Sequence, residues 1–236
     1  MSIKAVLFDL DGTLLPMDQE VFVKAYFKLL AARMAPYGYE PKKLVECIWT
    51  GTGAMVKNDG GKKNEERFWD VFQTMYSKEA MEEHKPIIGR FYTEEFRQAQ
   101  SVCGFNPMSR KILDLVKSSG RMAVLATNPI FPAPATENRI RWAGLTPEDF
   151  TLYTTYENSS FCKPNPKYYL EVLEKIGCTP EECVMVGNDV TEDMVAETLG
   201  MKVFLLTDCI INRTGKDISA YPHGGFEDLE RFLMEL

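Results

Sequence analysis

The chain has 236 residues, 45% hydrophobic and 26% charged, the balance of a folded globular protein and not of a disordered or fibrous one. A formal charge of −7 leaves no basic field to hold a polyanion, which sets nucleic acid aside as a partner. No apolar run approaches the roughly 20 residues that span a bilayer, and the N-terminal segment lacks the basic, apolar, cleavable character of a leader, so no membrane partner and a cytoplasmic location are expected. Cys47, Cys103, Cys162, Cys178, Cys183 and Cys209 are scattered, and with only His84 and His223 beside them they form no zinc-spaced cluster. Free, mostly buried thiols are the expectation.

Residues 3–9 (IKAVLFD) are a short apolar, β-branched run without helical period, suited to a strand buried on both faces of a parallel sheet. Residues 122–126, 183–187 and 202–206 repeat that form, and 150–154 repeat it more weakly. Helical patterns lie between them at 108–118, 133–143, 166–176 and 192–199, with Gly177 and Gly200 placed as C-terminal caps of the last two. Strand and helix in alternation predict a doubly wound α/β fold, a Rossmann-like three-layer core around a parallel sheet. From 17 to 105 the rhythm breaks: no strand is evident, and amphipathic helices are expected at 21–35, 41–48, 64–76 and 85–98, with loops at 50–53 (TGTG) and 58–63 (NDGGKK). The division expected is therefore a core from 1–16 and 106–236 and an inserted α-helical domain at 17–105.

Four polar signals stand where strands end. Asp9 and Asp11, two apart after the first strand, place two carboxylates close enough to share a divalent cation, or for one to attack while the other moves a proton. Thr127 and Asn128 follow the second strand with a hydroxyl and an amide suited to phosphate oxygens. Lys163 precedes a helix whose N-terminus adds positive charge. Asn188 and Asp189 follow the 183–187 strand, with Glu192 and Asp193 one turn on. Taken singly, each has a plainer reading: a turn with a charged lip, a turn residue, a solvated lysine, a helix cap. Taken in order, all four converge on one edge of one sheet.

This ordered set resembles the haloacid dehalogenase superfamily: Asp9-Leu10-Asp11-Gly12-Thr13 matches its first motif, Thr127 its second, Lys163 its third, and Asp189 with Asp193 its acidic fourth. The resemblance implies Asp9 as a nucleophile that becomes an aspartyl-phosphate and Asp11 as general acid and base. It also implies Mg²⁺ held by the Asp9 and Asp189 carboxylates and the Asp11 main-chain carbonyl. Asn188, which stands where many relatives carry the acid, and Asp193 would support the metal. Thr127, Asn128 and Lys163 would balance charge on the phosphoryl group. The halide-removing members lack the second acid, so the resemblance implies a Mg²⁺-dependent phosphatase of a small phosphorylated metabolite. The alternatives are a phosphomutase of a sugar phosphate and, further off, a non-catalytic phospho-ligand binding protein.

The insertion between the first and second motifs looks like the helical cap of the family's first cap class. Its loop residues Lys57, Asn58, Lys62 and Lys63 are the candidates for reading the substrate. Trp49, Trp69 and Phe72 are expected in its core.

Overall fold

The computed structural model describes residues 2–236. Six parallel strands, β1 (Ala5–Phe8), β2 (Met122–Leu125), β3 (Leu152–Tyr153), β4 (Cys183–Gly187), β5 (Lys202–Leu206) and β6 (His223–Gly224), pair in the order β3-β2-β1-β4-β5-β6. Successive strand residues point to opposite faces, and both faces are covered. Val6 and Phe8 join one apolar cluster with Ile112, Ile140 and Leu229, while Ala5 and Leu7 join another with Tyr168, Val172 and Met185. Ile112, Ile140 and Leu229 belong to α5 (Met108–Ser118), α6 (Ala133–Trp142) and α8 (Phe226–Met234), and Tyr168 and Val172 to α7 (Pro166–Ile176). The result is helix, sheet, helix, with strands that read as continuous apolar runs because neither face meets water.

Having added β2 and β3 on one side of β1, the chain returns to place β4 on the other. The crevice beyond the carboxyl ends of β1 and β4 is where open α/β sheets bind ligands. Between β1 and β2 the described residues form α1 (Gln19–Met34), α2 (Pro41–Val56), α3 (Asn64–Met75) and α4 (Lys78–Thr93), then a 3₁₀ segment, Glu95–Val102. The two connections of this helical insertion run side by side, the Gly104 amide donating to the Pro16 carbonyl at 2.7 Å.

Several local expectations change. The loop placed at 50–53 is helix: α2 runs through it, and a Cβ at Gly51 would meet the Phe68 ring of α3 at 2.6 Å. The glycine serves close helix packing and does not break the helix. Ser77, whose hydroxyl accepts from the Ala80 amide, starts α4 seven residues before the expected 85, and Pro86 lies inside the helix. The expected helix at 192–199 is a 3₁₀ segment, Met194–Leu199. β6 and α8 are additions. The apolar positions Phe226, Leu229 and Leu233 of α8 are buried, at the i, i+3, i+7 spacing of one helix face. Cys47, Cys162 and Cys183 are buried free thiols, and the other three cysteines are half-buried.

Candidate active site

The segment after β1 folds back on itself: the Gly12 amide bonds to the Leu15 carbonyl, and the Thr13 and Leu15 amides bond to the Leu10 carbonyl. Gly12 occupies the left-handed region at φ +89°, and a side chain there would overlap the Asn188 amide. The turn therefore requires glycine twice over, for its backbone angle and for the approach of the strand-β4 loop. It leaves Asp9 and Asp11 at the carboxyl end of the central strand.

Asp9 accepts from the Lys163 ammonium at 2.9 Å through Oδ1 and from the Thr13 hydroxyl at 3.3 Å through Oδ2. Lys163, with 1% of its side chain exposed, also donates to Asp193 Oδ1 at 2.6 Å. Burial opposes the ammonium charge, but the Asp193 and Asp9 carboxylates outweigh it and hold the Lys163 pKa well above its usual value. Burial likewise pushes the Asp193 carboxyl up, with Lys163 pulling against it. Three charged groups in one dry position form a network in which removing any member strands the others.

Asp189 is fixed from two sides. Its Oδ1 accepts from the Thr191 and Glu192 amides at 2.7 and 2.9 Å, and its own amide donates to Asp193 Oδ2 at 2.9 Å. Asn188 accepts from the Thr13 hydroxyl at 3.1 Å and donates to the Cys209 carbonyl at 2.7 Å. It fastens the β1, β4 and β5 loops together with its amide, while Asp189 presents a carboxylate. The Thr127 carbonyl accepts from the Thr154 hydroxyl at 2.6 Å and the Tyr168 hydroxyl at 2.9 Å, which pins the β2 end. Asn128 donates to Glu192 Oε2 at 3.1 Å, and its own Oδ1 is buried without a partner.

Arg139, which sequence reasoning did not single out, is the fully buried partner of Asp11. Its Nη1 pairs with Asp11 Oδ2, its Nε donates to the Ala135 carbonyl at 3.3 Å, and its guanidinium lies 4.5 Å from the Phe131 ring centre. The one hint in the sequence is Ala135 and Thr136, small residues four and three places earlier that leave room for it on a helix face. Asp11 Oδ1 is buried and unpaired. Burial, with Asp9 adding to it and Arg139 opposing, pushes the Asp11 carboxyl up to about 6.

These residues border a cavity of about 350 Å³ lined by Asp9, Asp11, Thr127, Asn128, Asn188, Asp189 and Asp193 from the sheet edge. Phe22 and Val23 of α1, Trp49, Thr52 and Val56 of α2, and Ile130 and Phe131 after β2 complete the lining. The insertion residues expected to read a substrate are elsewhere. Asn58 is buried in its own loop, donating to the Lys62 carbonyl and to Asn64 Oδ1 and accepting from Arg67. Lys62 pairs with Asp70 at 2.6 Å, Lys63 reaches Ser160 and Glu171, and Lys57 is an exposed residue ending α2. They organise that loop and its seat on residues 156–162, where the Asn64 and Glu65 amides bond to the Ser159 and Tyr156 carbonyls at 2.9 Å. Trp69 and Phe72 are buried as expected, whereas Trp49 is 53% exposed at the cavity.

Among the described residues no three Asp, Glu, His or Cys side chains form a ready metal cage. A set of two carboxylates, Asp9 and Asp189, and one main-chain carbonyl, that of Asp11, is the sparse all-oxygen kind that Mg²⁺ accepts with waters and a phosphate completing six ligands. Asp189 Oδ2, left without a hydrogen bond among the described residues while Oδ1 takes two, fits that use.

The sequence profile of the haloacid dehalogenase-like hydrolases matches residues 3–196. A glyceraldehyde 3-phosphate phosphatase of Methanothermobacter thermautotrophicus is 27% identical over 212 residues, covering 86% of this chain and 85% of its own. A phosphorylated carbohydrates phosphatase of Thermotoga maritima is 25% identical over 200 residues, 84% of this chain and 82% of its own. Among solved structures, a 2-haloacid dehalogenase of Pseudomonas syringae superposes with a TM-score of 0.65 at 19% identity, covering 99% of both chains. At that identity the likeness speaks for the fold alone.

Proposed function

The chain belongs to the haloacid dehalogenase-like hydrolases, and from that premise we propose that it is a phosphatase that transfers the phosphoryl group of a small phosphomonoester to Asp9 and then to water. The observation that carries this reading is the pair of carboxylates at the cavity floor. Asp9 is held by the Lys163 ammonium, and Asp11, two residues on, keeps one oxygen unpartnered with its pKa pushed up to about 6. The phosphatase names of the relatives support it.

In the first step a bond forms between an Asp9 oxygen and phosphorus as the bond from phosphorus to the leaving oxygen breaks, and Asp11, protonated, delivers its proton to that oxygen. In the second, Asp11 takes a proton from water as the water oxygen attacks phosphorus and frees the Asp9 carboxylate. Arg139 holds Asp11 Oδ2, so Oδ1 is the oxygen that carries the proton. A carboxyl pushed up to about 6 holds its proton closer to neutral pH than a free one, which suits it to give a proton in the first step and take one in the second. Lys163 offsets the repulsion between the Asp9 carboxylate and an incoming phosphate dianion, and Thr127 with Asn128 borders the same volume. Bound Mg²⁺, held by the Asp9 and Asp189 carboxylates and the Asp11 carbonyl, would add neutralising charge on the phosphoryl oxygens. The helical insertion would act as a cap that excludes bulk water.

The test is phosphate release from a panel of nucleotides, sugar phosphates and short phospho-acids with Mg²⁺, for the native protein and Asp9→Asn. The native protein releases phosphate, and the variant, still folded by circular dichroism, does not. Turnover retained in the variant removes Asp9 as nucleophile, and isomerised sugar phosphate without free phosphate would mark a mutase.

A further inference from the structure

The core and the inserted helices contribute different chemistry to the cavity lining. The charged lining residues stand on the core side: Asp9, Asp11, Asp189, Glu192, Asp193 and Arg213. The insertion contributes Phe22, Val23, Trp49 and Val56 with Thr52 and Gln19, none of them charged, and the core loop after β2 adds Ile130 and Phe131. A second charge on the substrate would need a cation beside these residues. Arg213 is the sole cation among the described lining residues; it is exposed on the loop after β5 and bonded to Gln19 Oε1 at 3.3 Å. Among the insertion's loop lysines, Lys62 pairs with Asp70, Lys63 with Glu171, and Lys57 sits at the end of α2, and none lines the cavity.

Trp49 strengthens the point. Its side chain, 53% exposed, borders the cavity while its ring rests edge-on against Phe27 with centroids 5.5 Å apart, leaving aromatic surface open to a ligand there. Burying an aromatic ring against such apolar surface is favourable, whereas a carboxylate or a set of sugar hydroxyls would be desolvated there with only Thr52, Gln19 and the exposed Arg213 as partners.

Resting on the phosphatase reading above, we infer that the substrate is the phosphate monoester of an uncharged, ring-bearing alcohol, its ring seated between Trp49, Val56 and Phe131. Phosphoglycolate-like acids and open-chain or cyclic sugar phosphates are the classes this wall disfavours.

The experiment compares benzyl phosphate, phosphoglycolate, glucose 6-phosphate and ethyl phosphate with the Mg²⁺-loaded full chain. In parallel, calorimetry measures binding of two compounds that cannot be hydrolysed, benzylphosphonate and phosphonoacetate. An apolar pocket discriminates by roughly 10–200-fold, so kcat/KM for benzyl phosphate should exceed that for phosphoglycolate and glucose 6-phosphate by at least about 10-fold, with the same order in Kd for the phosphonates. Trp49→Ala, at an exposed position where folding is not at risk, should lower the benzyl-to-ethyl selectivity about 10-fold, chiefly through KM. Preference for phosphoglycolate or glucose 6-phosphate, equal or tighter binding of phosphonoacetate, or an unchanged benzyl-to-ethyl ratio in Trp49→Ala overturns the inference. If no ester releases phosphate, the hydrolase reading fails by itself, and the phosphonate affinities still decide the class of ligand.

Discussion

Replacing Asp11 by asparagine should make the protein more stable at pH 8 while removing its turnover. The Asp11 carboxyl titrates at 3.8 when free and is pushed up to about 6 in the folded chain, because burial disfavours its charge more than Arg139 favours it. Below pH 3.8 the group is protonated in both states, and folding incurs no penalty from it. Between 3.8 and about 6 the folded state binds more protons than the unfolded one, so stability falls as pH rises, and above about 6 the whole loss is present. A shift of about two units at 1.36 kcal/mol each is about 3 kcal/mol. That is an upper bound, since the side chain keeps 19% exposure. Asparagine imitates the protonated carboxyl, and its amide oxygen still accepts from Arg139. Urea unfolding of both proteins in EDTA, followed by tryptophan fluorescence from pH 4.5 to 8, reads the difference. At an m-value of roughly 3 kcal/mol/M, the variant's midpoint should lie up to about 1 M higher at pH 8, and the gap should close toward pH 4. Equal midpoints at pH 8, or a gap independent of pH, would refute the argument that this carboxyl is held ionised against its surroundings. Taking the difference between the two proteins cancels the other buried acids, Asp193 above all.

Lys163→Met should destabilise the protein by about 3–5 kcal/mol at pH 8, because it leaves two buried carboxyls, Asp9 and Asp193, without their cation; a urea midpoint unchanged from the native protein would show that the network contributes nothing net. Gly12→Ala should cost at least about 1–2 kcal/mol for its φ of +89° alone, and lower phosphate release as well, since the methyl would displace Asn188 from Thr13 and Cys209; full activity with a native melting curve would contradict the close packing of the two loops. Asp149 is held well below the usual carboxylate range, first by Arg110 and then by Lys117 and the Thr146 amide. Its contribution is therefore present above pH 3.8 and lost as pH falls below it. Asp149→Asn should cost about 2 kcal/mol at pH 7, with the difference from the native protein narrowing in melts below pH 4.

The polar signals were legible in the sequence because each is tied to the end of an apolar strand, and a parallel sheet carries all its strand ends to one edge. Asp9, Thr127 and Asp189 could hardly fall anywhere else once 3–9, 122–126 and 183–187 were read as strands. Asn188 was placed by sequence beside the metal, and the structure gives its amide to Thr13 and Cys209, a distinction that depends on which atom of a three-residue turn faces inward. The insertion was legible as helix but not in its detail. Gly51 and Gly53 look like breakers until Phe68 is seen to pack against Gly51, and the lysines at 57, 62 and 63 look like a substrate-reading loop until Asp70 is found beside Lys62, and Ser160 and Glu171 beside Lys63.

What the sequence determined by itself was the alternation of buried strands and amphipathic helices, and with it the edge where the chemistry-bearing residues gather, because local hydrophobic period and turn chemistry act over a few residues. Only the tertiary structure decided that Arg139 closes on Asp11 across 128 positions and that Trp49 is turned out to the cavity while Trp69 is buried. It also decided that the insertion lines the cavity with uncharged residues alone. Pairing across such a separation depends on how α6 packs against the sheet and how the insertion sits over it, and no local pattern in the chain encodes either distance.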